Sequence, residues 1–565
     1  MNKYKIIYFM ICVSIISFAL ITNYMWVKAD NSVNGVDSSN HLFFSIEFFY
    51  RFTDIIYAQT LSLWQKVAAY VDLLGSPVRG STVYWPNGLN ATTAFSYLLF
   101  GRSLFSAKVS MFPYLIILLS STYLIGKKIS GDFSGVLSAF ILFMYPLIFE
   151  SSRQFQLDLP LAAMVSLVIY FFLQSDHFQR RPYSILLGIA LGWAMLIKGQ
   201  AILFVLCPML LMIMKGMSKK RWGVFTNIFL VLILAGMIAS IWWYGQVGLA
   251  RLSLMEHVFS ARKALEAQLP MGKKYSIEGI SFYIFQLPSV LSFPFSIALA
   301  VSLAAIIKGK CNHKGLLLSW CIPPFLFFSF VITIKHSRFI MPVLPAFAII
   351  TASAIGQIRI KVLRGIISVV IVVFALVQFY VLSLFAWDKR DVRLGPIGIF
   401  GRLAYGSDYE SFPPHFNDIK LDQVAHIIEK SSDIRKTVDI ISIGSGGVPS
   451  SFETLYWLCL NNPHFSLTDF IEMYRDAFIN FNSADFIVFD MPDGIAAKWP
   501  TKDELIRILK AGHENKIRQL EQTDSRPWEG LLSCVEAAQN NFILIGQVHR
   551  SMNKTYYIYK RIRAA

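Results

Sequence analysis

Charge is scarce in this chain. Asp, Glu, Lys and Arg make up 15% of its 565 residues, where soluble domains carry about 25%. Acidic residues are the scarcer sign, 35 against 52 Lys and Arg. Cysteine is also sparse. Of the six, Cys12, Cys207, Cys311 and Cys321 lie in or beside apolar segments without metal-ligand spacing, and only Cys459 and Cys534 fall in the tail, where they are the one candidate disulfide. A full dinucleotide fingerprint is missing: Gly444, Ser445, Gly446 and Gly447 follow an apolar run but lack the glycine spacing. No internal repeat is visible, which counts against a transporter built from two related halves.

What is present is apolar sequence: 55% hydrophobic residues and a mean hydropathy of +0.52. These values predict a polytopic α-helical membrane protein. The net charge of +17 then reflects Lys and Arg gathered in cytoplasmic loops and near anionic lipid, and no nucleic-acid partner is expected. A span needs about 20 apolar residues. Helices are expected near 5–27, 104–126, 133–149, 159–173, 184–197, 200–214, 222–247, 280–307, 315–334, 339–357 and 365–387, about 11 transmembrane helices in all. Val27, Lys28 and Ala29 resemble a cleavage site, but the length of the first segment favours a retained span.

Loop charge tests this arrangement. With the N-terminus cytoplasmic, the inner loops hold Lys127 and Lys128, Arg180 and Arg181, Lys215 to Arg221, Lys308 to Lys314, and Arg359 to Arg364. Every second loop is basic. Asp37, Arg153, Asp158, Lys198, Lys335 to Arg338 and everything after Trp387 then share the outer face. Neither ATP nor a nucleotide sugar is available there, so a substrate must arrive activated on a lipid.

Each polar group admits a plain reading beside a chemical one. Asp37, opening the amphipathic run to Tyr50, is a helix cap or a base. Asp158, one turn after Gln154 and ahead of Pro160, is a capped helix start paired with Arg153, or part of a site. Lys198 snorkels to the interface or binds phosphate. Lys335, His336 and Arg338 form a solvated loop, or a phosphate site with the bidentate fork of arginine. The loop 248–279, with an amphipathic part at 253–268, is a surface helix or a mobile cover.

Residues 388–565 differ in kind. Strands are expected at 438–443, 485–489, 542–547 and 555–560, with helical runs at 418–430, 451–460, 466–477 and 501–512. This predicts a C-terminal extracytoplasmic α/β domain over 388–565, after a transmembrane domain over 1–387 with outer loops at 28–103 and 248–279.

Four passages resemble the GT-C membrane glycosyltransferases, and glycosyltransferase family 39 (protein mannosyltransferases and aminoarabinose transferases) in particular. They are the Asp37 loop, Arg153–Pro160, Gly188–Gln200 and Arg338–Pro345. The resemblance implies the GT-C fold and a polyprenyl-phosphate sugar donor (undecaprenyl or dolichyl). It also implies a lipid, glycan or protein acceptor on the outer face, and the modest size with a Lys-, Ile- and Phe-rich composition suggests a bacterial inner membrane. Asp37 takes the place of the family's base and Asp158 that of the acidic residue before the fourth span. Lys198 and Arg338 fall where cations face the donor phosphate, and Arg153, Lys335 and His336 are expected from their own charge to join them there. Asp37 is not followed by an acidic residue, as it is in the eukaryotic mannosyltransferases. One base suffices for direct attack with inversion, because a lipid phosphate is already a good leaving group. No metal-binding carboxylate pair is evident, so no divalent metal or other cofactor is expected. An oligosaccharyltransferase, ligase or polymerase, and a lipid flippase, are the alternatives.

Overall fold

The computed structural model describes residues 3–30, 36–77, 85–217, 222–255, 276–309, 313–332, 335–383, 393–394, 397–398, 421–431, 438–444, 465–469, 485–492, 499–501, 503–504, 538–550 and 554–562. They form two compact units, one of residues 1–30 and 51–415, the other of 31–50 and 416–565.

The first unit is a helical membrane unit. Its helices are α1 (Lys3–Ala29), the end of α2 (Val36–Tyr57), α3 (Leu63–Gly75), α4 (Gly88–Phe100), α5 (Leu104–Val109), α6 (Phe112–Ser130), α7 (Asp132–Met144), α8 (Pro146–Ser151), α9 (Asp158–Gln174), α10 (Arg181–Ile197), α11 (Ala201–Met217), α12 (Trp222–Met255), α13 (Ile277–Leu291), α14 (Phe293–Lys308), α15 (Lys314–Phe330), α16 (Leu344–Gly356) and α17 (Lys361–Ser383). A 3₁₀ turn, Ser337–Val343, leads into α16. Among the described residues, five helical stretches are long and apolar enough to cross a membrane, a bent pair makes a sixth, and α7, α9, α10, α11 and α15 are shorter apolar helices.

Local chemistry sets where these helices stop. Lys127 and Lys128 occupy the last turn of α6 and Asp132 the first turn of α7, each complementing the helix dipole. Gly131 between them has φ +91°, a conformation glycine adopts without strain. The single span expected over 280–307 is instead α13 and α14, bent by 119°. Ser292 takes φ +79° at the break and a proline opens α14, so the helix ends before it restarts. Burial follows the bilayer rather than water. The Ser337–Gly356 span is mostly buried within the unit, whereas α17 turns Val369, Val370, Val373 and Val377 outward, where acyl chains replace solvent.

The second unit holds residues 36–50 of α2, helix α18 (Leu421–Ser431) and a five-stranded sheet. Its strands are β3 (Val438–Gly444), β4 (Phe465–Asp469), β5 (Phe486–Pro492), β6 (Phe542–Arg550) and β7 (Lys554–Arg561), in the order β4-β3-β5-β7-β6. β3 runs parallel to β4 and β5, and β7 antiparallel to β5 and β6. A two-residue ladder, β1 (Arg393–Leu394) with β2 (Ile397–Gly398), is a separate sheet and belongs to the first unit. The four expected strands are present. The helical run expected at 466–477 begins instead as β4, because Phe465–Asp469 pairs in register with Val438–Ser442, and that ladder overrides a weak helical periodicity. The runs at 451–460 and most of 501–512, the loop 256–275, Cys311, Cys459 and Cys534 lie outside the described residues.

Candidate active site

Three of the expected site residues meet at one end of the membrane unit. Asp158 opens α9, where the helix dipole favours a negative charge. Lys198 caps the C-terminal end of α10, its N–H bonded to Ala194 O at 3.0 Å. Arg338 is carried by the 3₁₀ turn before α16. Lys198 Nζ donates to Asp158 Oδ1 at 2.8 Å, and Arg338 Nε lies 3.5 Å from Asp158 Oδ2. The second distance is an ion pair rather than a hydrogen bond. Lys198 Nζ also stands 5.2 Å from the centre of the Phe339 ring, within cation–π range. All three charged groups are largely withdrawn from solvent. One carboxylate faces two cations, so this trio carries a net charge of +1. Such a cluster holds its cations in place and still attracts an anion.

The position of Lys198 depends on close backbone packing. A Cβ at Gly88, in the first turn of α4, would stand 2.6 Å from Leu196 O and 2.8 Å from its carbonyl carbon. Any larger residue would push on the end of α10, two residues before Lys198.

A second buried charged group lies at the end of α1. Lys108 of α5 pairs with Asp30 and stands 5.7 Å from the Trp26 ring. Arg153 donates from Nε to Asn23 Oδ1 at 2.8 Å, and Asn23 donates in turn to Ser152 Oγ at 2.7 Å. The guanidinium sits 5.2 to 5.4 Å from the rings of Trp26, Phe149 and Phe379. Its terminal nitrogens have no hydrogen-bond partner among the described residues. Burial opposes its charge, while Glu150 and Asp30 favour it. Arg153 thus joins α1, α8 and α17 around the turn that leads into Asp158, and no ion pair links it to Asp158 among the described residues.

The other expected residues are Lys335, His336 and Asp37. Lys335 is buried and donates from Nζ to Ser329 O at 2.5 Å and to Gly279 O. Its charge serves the C-terminal end of α15 and the first turn of α13. His336 sets its ring edge-on to Phe339 at 5.1 Å. Asp37 lies half-buried in the first turn of α2, within the second unit, with buried His41 one turn along. Asp30, Lys108, Asn23 and Trp26 are additions that the sequence reading passed over. The available signal was a lone lysine inside an apolar span and an aspartate at the end of another.

Known proteins agree with this architecture. A family model described as dolichyl-phosphate-mannose-protein mannosyltransferase matches residues 86–244, which include α9, α10 and the Asp158–Lys198 pair. An uncharacterized protein of Aquifex aeolicus (strain VF5) is 26% identical over 288 residues, 49% of this chain and 53% of that protein. The chain thus spans about half the length of this curated relative. Among solved structures, ArnT from Cupriavidus metallidurans bound to undecaprenyl phosphate superposes with a TM-score of 0.56 at 13% identity, covering 98% of each chain. The apo state of ArnT gives 0.57 at 13% identity, covering 97% of each. The fold is that of the GT-C membrane glycosyltransferases. At 13% identity the ArnT likeness speaks for the GT-C fold, and the chemistry has to be argued from the residues.

Proposed function

We propose that this chain transfers a sugar from a polyprenyl-phosphate donor to a lipid, glycan or protein acceptor at the membrane face that carries Asp158. The observation that carries the reading is the buried Asp158–Lys198–Arg338 cluster, with its surplus positive charge, in a GT-C fold. ArnT, which has this fold, is a protein that binds undecaprenyl phosphate.

On this proposal the acceptor oxygen attacks the anomeric carbon as the bond from that carbon to the phosphate oxygen breaks. The proton leaves the acceptor for a carboxylate, and Asp37 is our choice of base. The polyprenyl phosphate departs with an added negative charge, which Lys198 and Arg338 neutralise. Asp158 holds those two cations and is not itself the base, since both of its oxygens face them. Direct attack inverts the anomeric centre. With cations supplied by the protein, no divalent metal is required, and turnover is expected to survive chelation. The opposite end carries the basic loops, which supports reading it as the cytoplasmic end; on this proposal the transfer runs on the outer face of a bacterial inner membrane.

The test is transfer by the full chain in nanodiscs, with a panel of undecaprenyl- and dolichyl-phosphate sugars. Asp37→Asn should lose about 10²- to 10⁴-fold in turnover, the range of one general base, with donor binding intact. Lys198→Gln should lose donor binding. Equal turnover in Asp37→Asn removes Asp37 from the mechanism. Unchanged donor binding in Lys198→Gln removes the cluster from the phosphate site.

A further inference from the structure

The C-terminal sheet carries a feature that the transfer reaction does not use. Its three parallel strands stand in the order β4-β3-β5. The chain leaves β3 for the neighbour on one side and then returns to the neighbour on the other, so the strand order reverses between β3 and β5. In open α/β sheets a crevice lies at such a reversal, outside the carboxyl ends of the strands, and ligands bind there.

The residues at that end fit a ligand. β5 runs through Phe486, Ile487, Val488 and Phe489, all buried, the pattern of a strand covered on both faces. Its polarity changes at Asp490, in register with Gly444 at the end of β3. Asp469 ends β4, in register with Ser442. Register partners share a face, and so do residues two apart. Ser442, Gly444, Asp469 and Asp490 therefore lie on one face at one sheet end. Gly444 opens the run Gly444, Ser445, Gly446 and Gly447, of which the last three lie outside the described residues. By glycine spacing alone that run falls short of a dinucleotide fingerprint. The structure supplies the context the spacing did not. Phe465–Asp469, expected to be helical, is the second parallel strand. Asp469 thus stands at a strand end about 20 residues beyond the glycines, the position from which an acidic residue takes the hydroxyls of a sugar ring.

Positive charge gathers on the other side of the same face. Lys554 begins β7, in register with Pro492, and Arg550 ends β6, in register with Lys554. Helix α18 lies along this face: a Cβ at Gly546 would stand 3.0 Å from Ile427 Cγ2, and Lys560 Nζ donates to Ser431 O at 2.6 Å. Lys560 pairs with Phe486, at the far end of β5. The C-terminus of α18 is therefore at that far end, and its N-terminus points to the end that holds Lys554 and Arg550. A helix N-terminus favours phosphate. The sheet end is thus acidic at β4, bare of a side chain at Gly444 and basic at β7 and β6. From β4 to β7 is three strand spacings, about 14 Å.

We propose that this sheet end binds a sugar ring joined to a diphosphate. The vicinal hydroxyls of the ring donate to the Asp469 carboxylate, the chain of the ligand crosses Gly444, and the diphosphate meets Lys554, Arg550 and the start of α18. A carboxylate accepts two hydroxyl donors at once, and the two cations offset the charge of Asp490 beside the phosphate. A nucleoside diphosphate and a lipid-linked glycosyl diphosphate share this chemistry.

The test is calorimetric titration of the full chain in nanodiscs with ADP and with geranyl diphosphoglucose. Tighter binding of ADP makes the ring a nucleoside ribose, and tighter binding of the geranyl compound makes it a glycan unit. Binding of neither overturns the proposal. Asp469→Asn should weaken the tighter probe about tenfold, the effect of one hydrogen bond to a charged group, and the 2-deoxy analogue of that probe should bind wild type about tenfold more weakly. Lys554→Gln with Arg550→Gln should weaken it by at least as much. Lys554→Arg with Arg550→Lys should keep it, which separates charge from folding, and Asp439→Asn, at the opposite end of β3, should leave it unchanged. Equal affinity for the 2-deoxy analogue would overturn the proposal. So would loss of binding in Lys198→Gln with none in Asp469→Asn, which would put the ligand at the membrane unit.

Discussion

Replacing Asp158 with Asn tests the charged cluster at its centre. The change keeps shape and one acceptor oxygen but removes the charge that faces Lys198 at 2.8 Å and Arg338 at 3.5 Å. At an effective dielectric of about 20, those distances correspond to gross attractions of roughly 6 and 5 kcal/mol. Desolvating each ion offsets several kcal/mol of this. What the variant loses is therefore set by the two cations left buried without their partner, about 3–5 kcal/mol. The exposed pair Lys127–Asp132 serves as control. Its 2.7 Å separation is nearly the same, but its side chains are 37% and 23% accessible, so water and ions screen it to about 0.2–1 kcal/mol. Unfolding of the full chain by denaturant titration in mixed micelles would measure both pairs as double-mutant cycles, Asp158→Asn with Lys198→Met and Asp132→Asn with Lys127→Met. The first cycle should give a coupling of about 2 kcal/mol or more, the second under about 1 kcal/mol. Additive behaviour at Asp158 and Lys198 would refute the buried pair, and with it the argument that Asp158 holds the two cations in place.

Other substitutions probe the supports of the site. Gly88→Ala forces a methyl against the Leu196 carbonyl and should cost about 1–3 kcal/mol, as overpacking does, with donor affinity measured by calorimetry falling as Lys198 shifts. Arg153→Lys keeps the charge but loses the planar group that Asn23 and three rings hold. The same unfolding titration should show a loss of about 1–3 kcal/mol. His313 has a lowered pKa in the folded chain, so the unfolded chain binds its proton more readily and stability falls as pH drops through the ordinary histidine range, near 6.5. His313→Asn, which tolerates the left-handed backbone at this position, φ +60°, should flatten the fall in melting temperature between about pH 7.5 and 5.5.

Much of this architecture was legible in the sequence because a bilayer restricts the solutions. Long apolar runs with basic residues in alternate connections leave only helical spans, and Asp158, Lys198 and Arg338 were visible as charges at span ends. Lys335 was visible for the same reason, but its carbonyl partners on α13 and α15 were not, since Gly279 and Ser329 are distant or unremarkable in sequence. The break at Ser292 was hidden by an apolar run that continues on both sides. The β4 ladder was hidden because parallel pairing depends on strands far apart in the chain.

The amino-acid sequence alone determined that this is a helical membrane protein, where its main spans run, which end of each carries the basic residues, and that an α/β domain follows. Those properties depend on hydropathy and charge within single segments. Only the tertiary structure decided that Asp158 takes both Lys198 and Arg338, that Arg153 is held by Asn23 and Trp26 apart from them, and that Asp30 meets Lys108. Each of these is a contact between helices whose rotation about their own axes is set by packing against several neighbours at once, and no single segment encodes it.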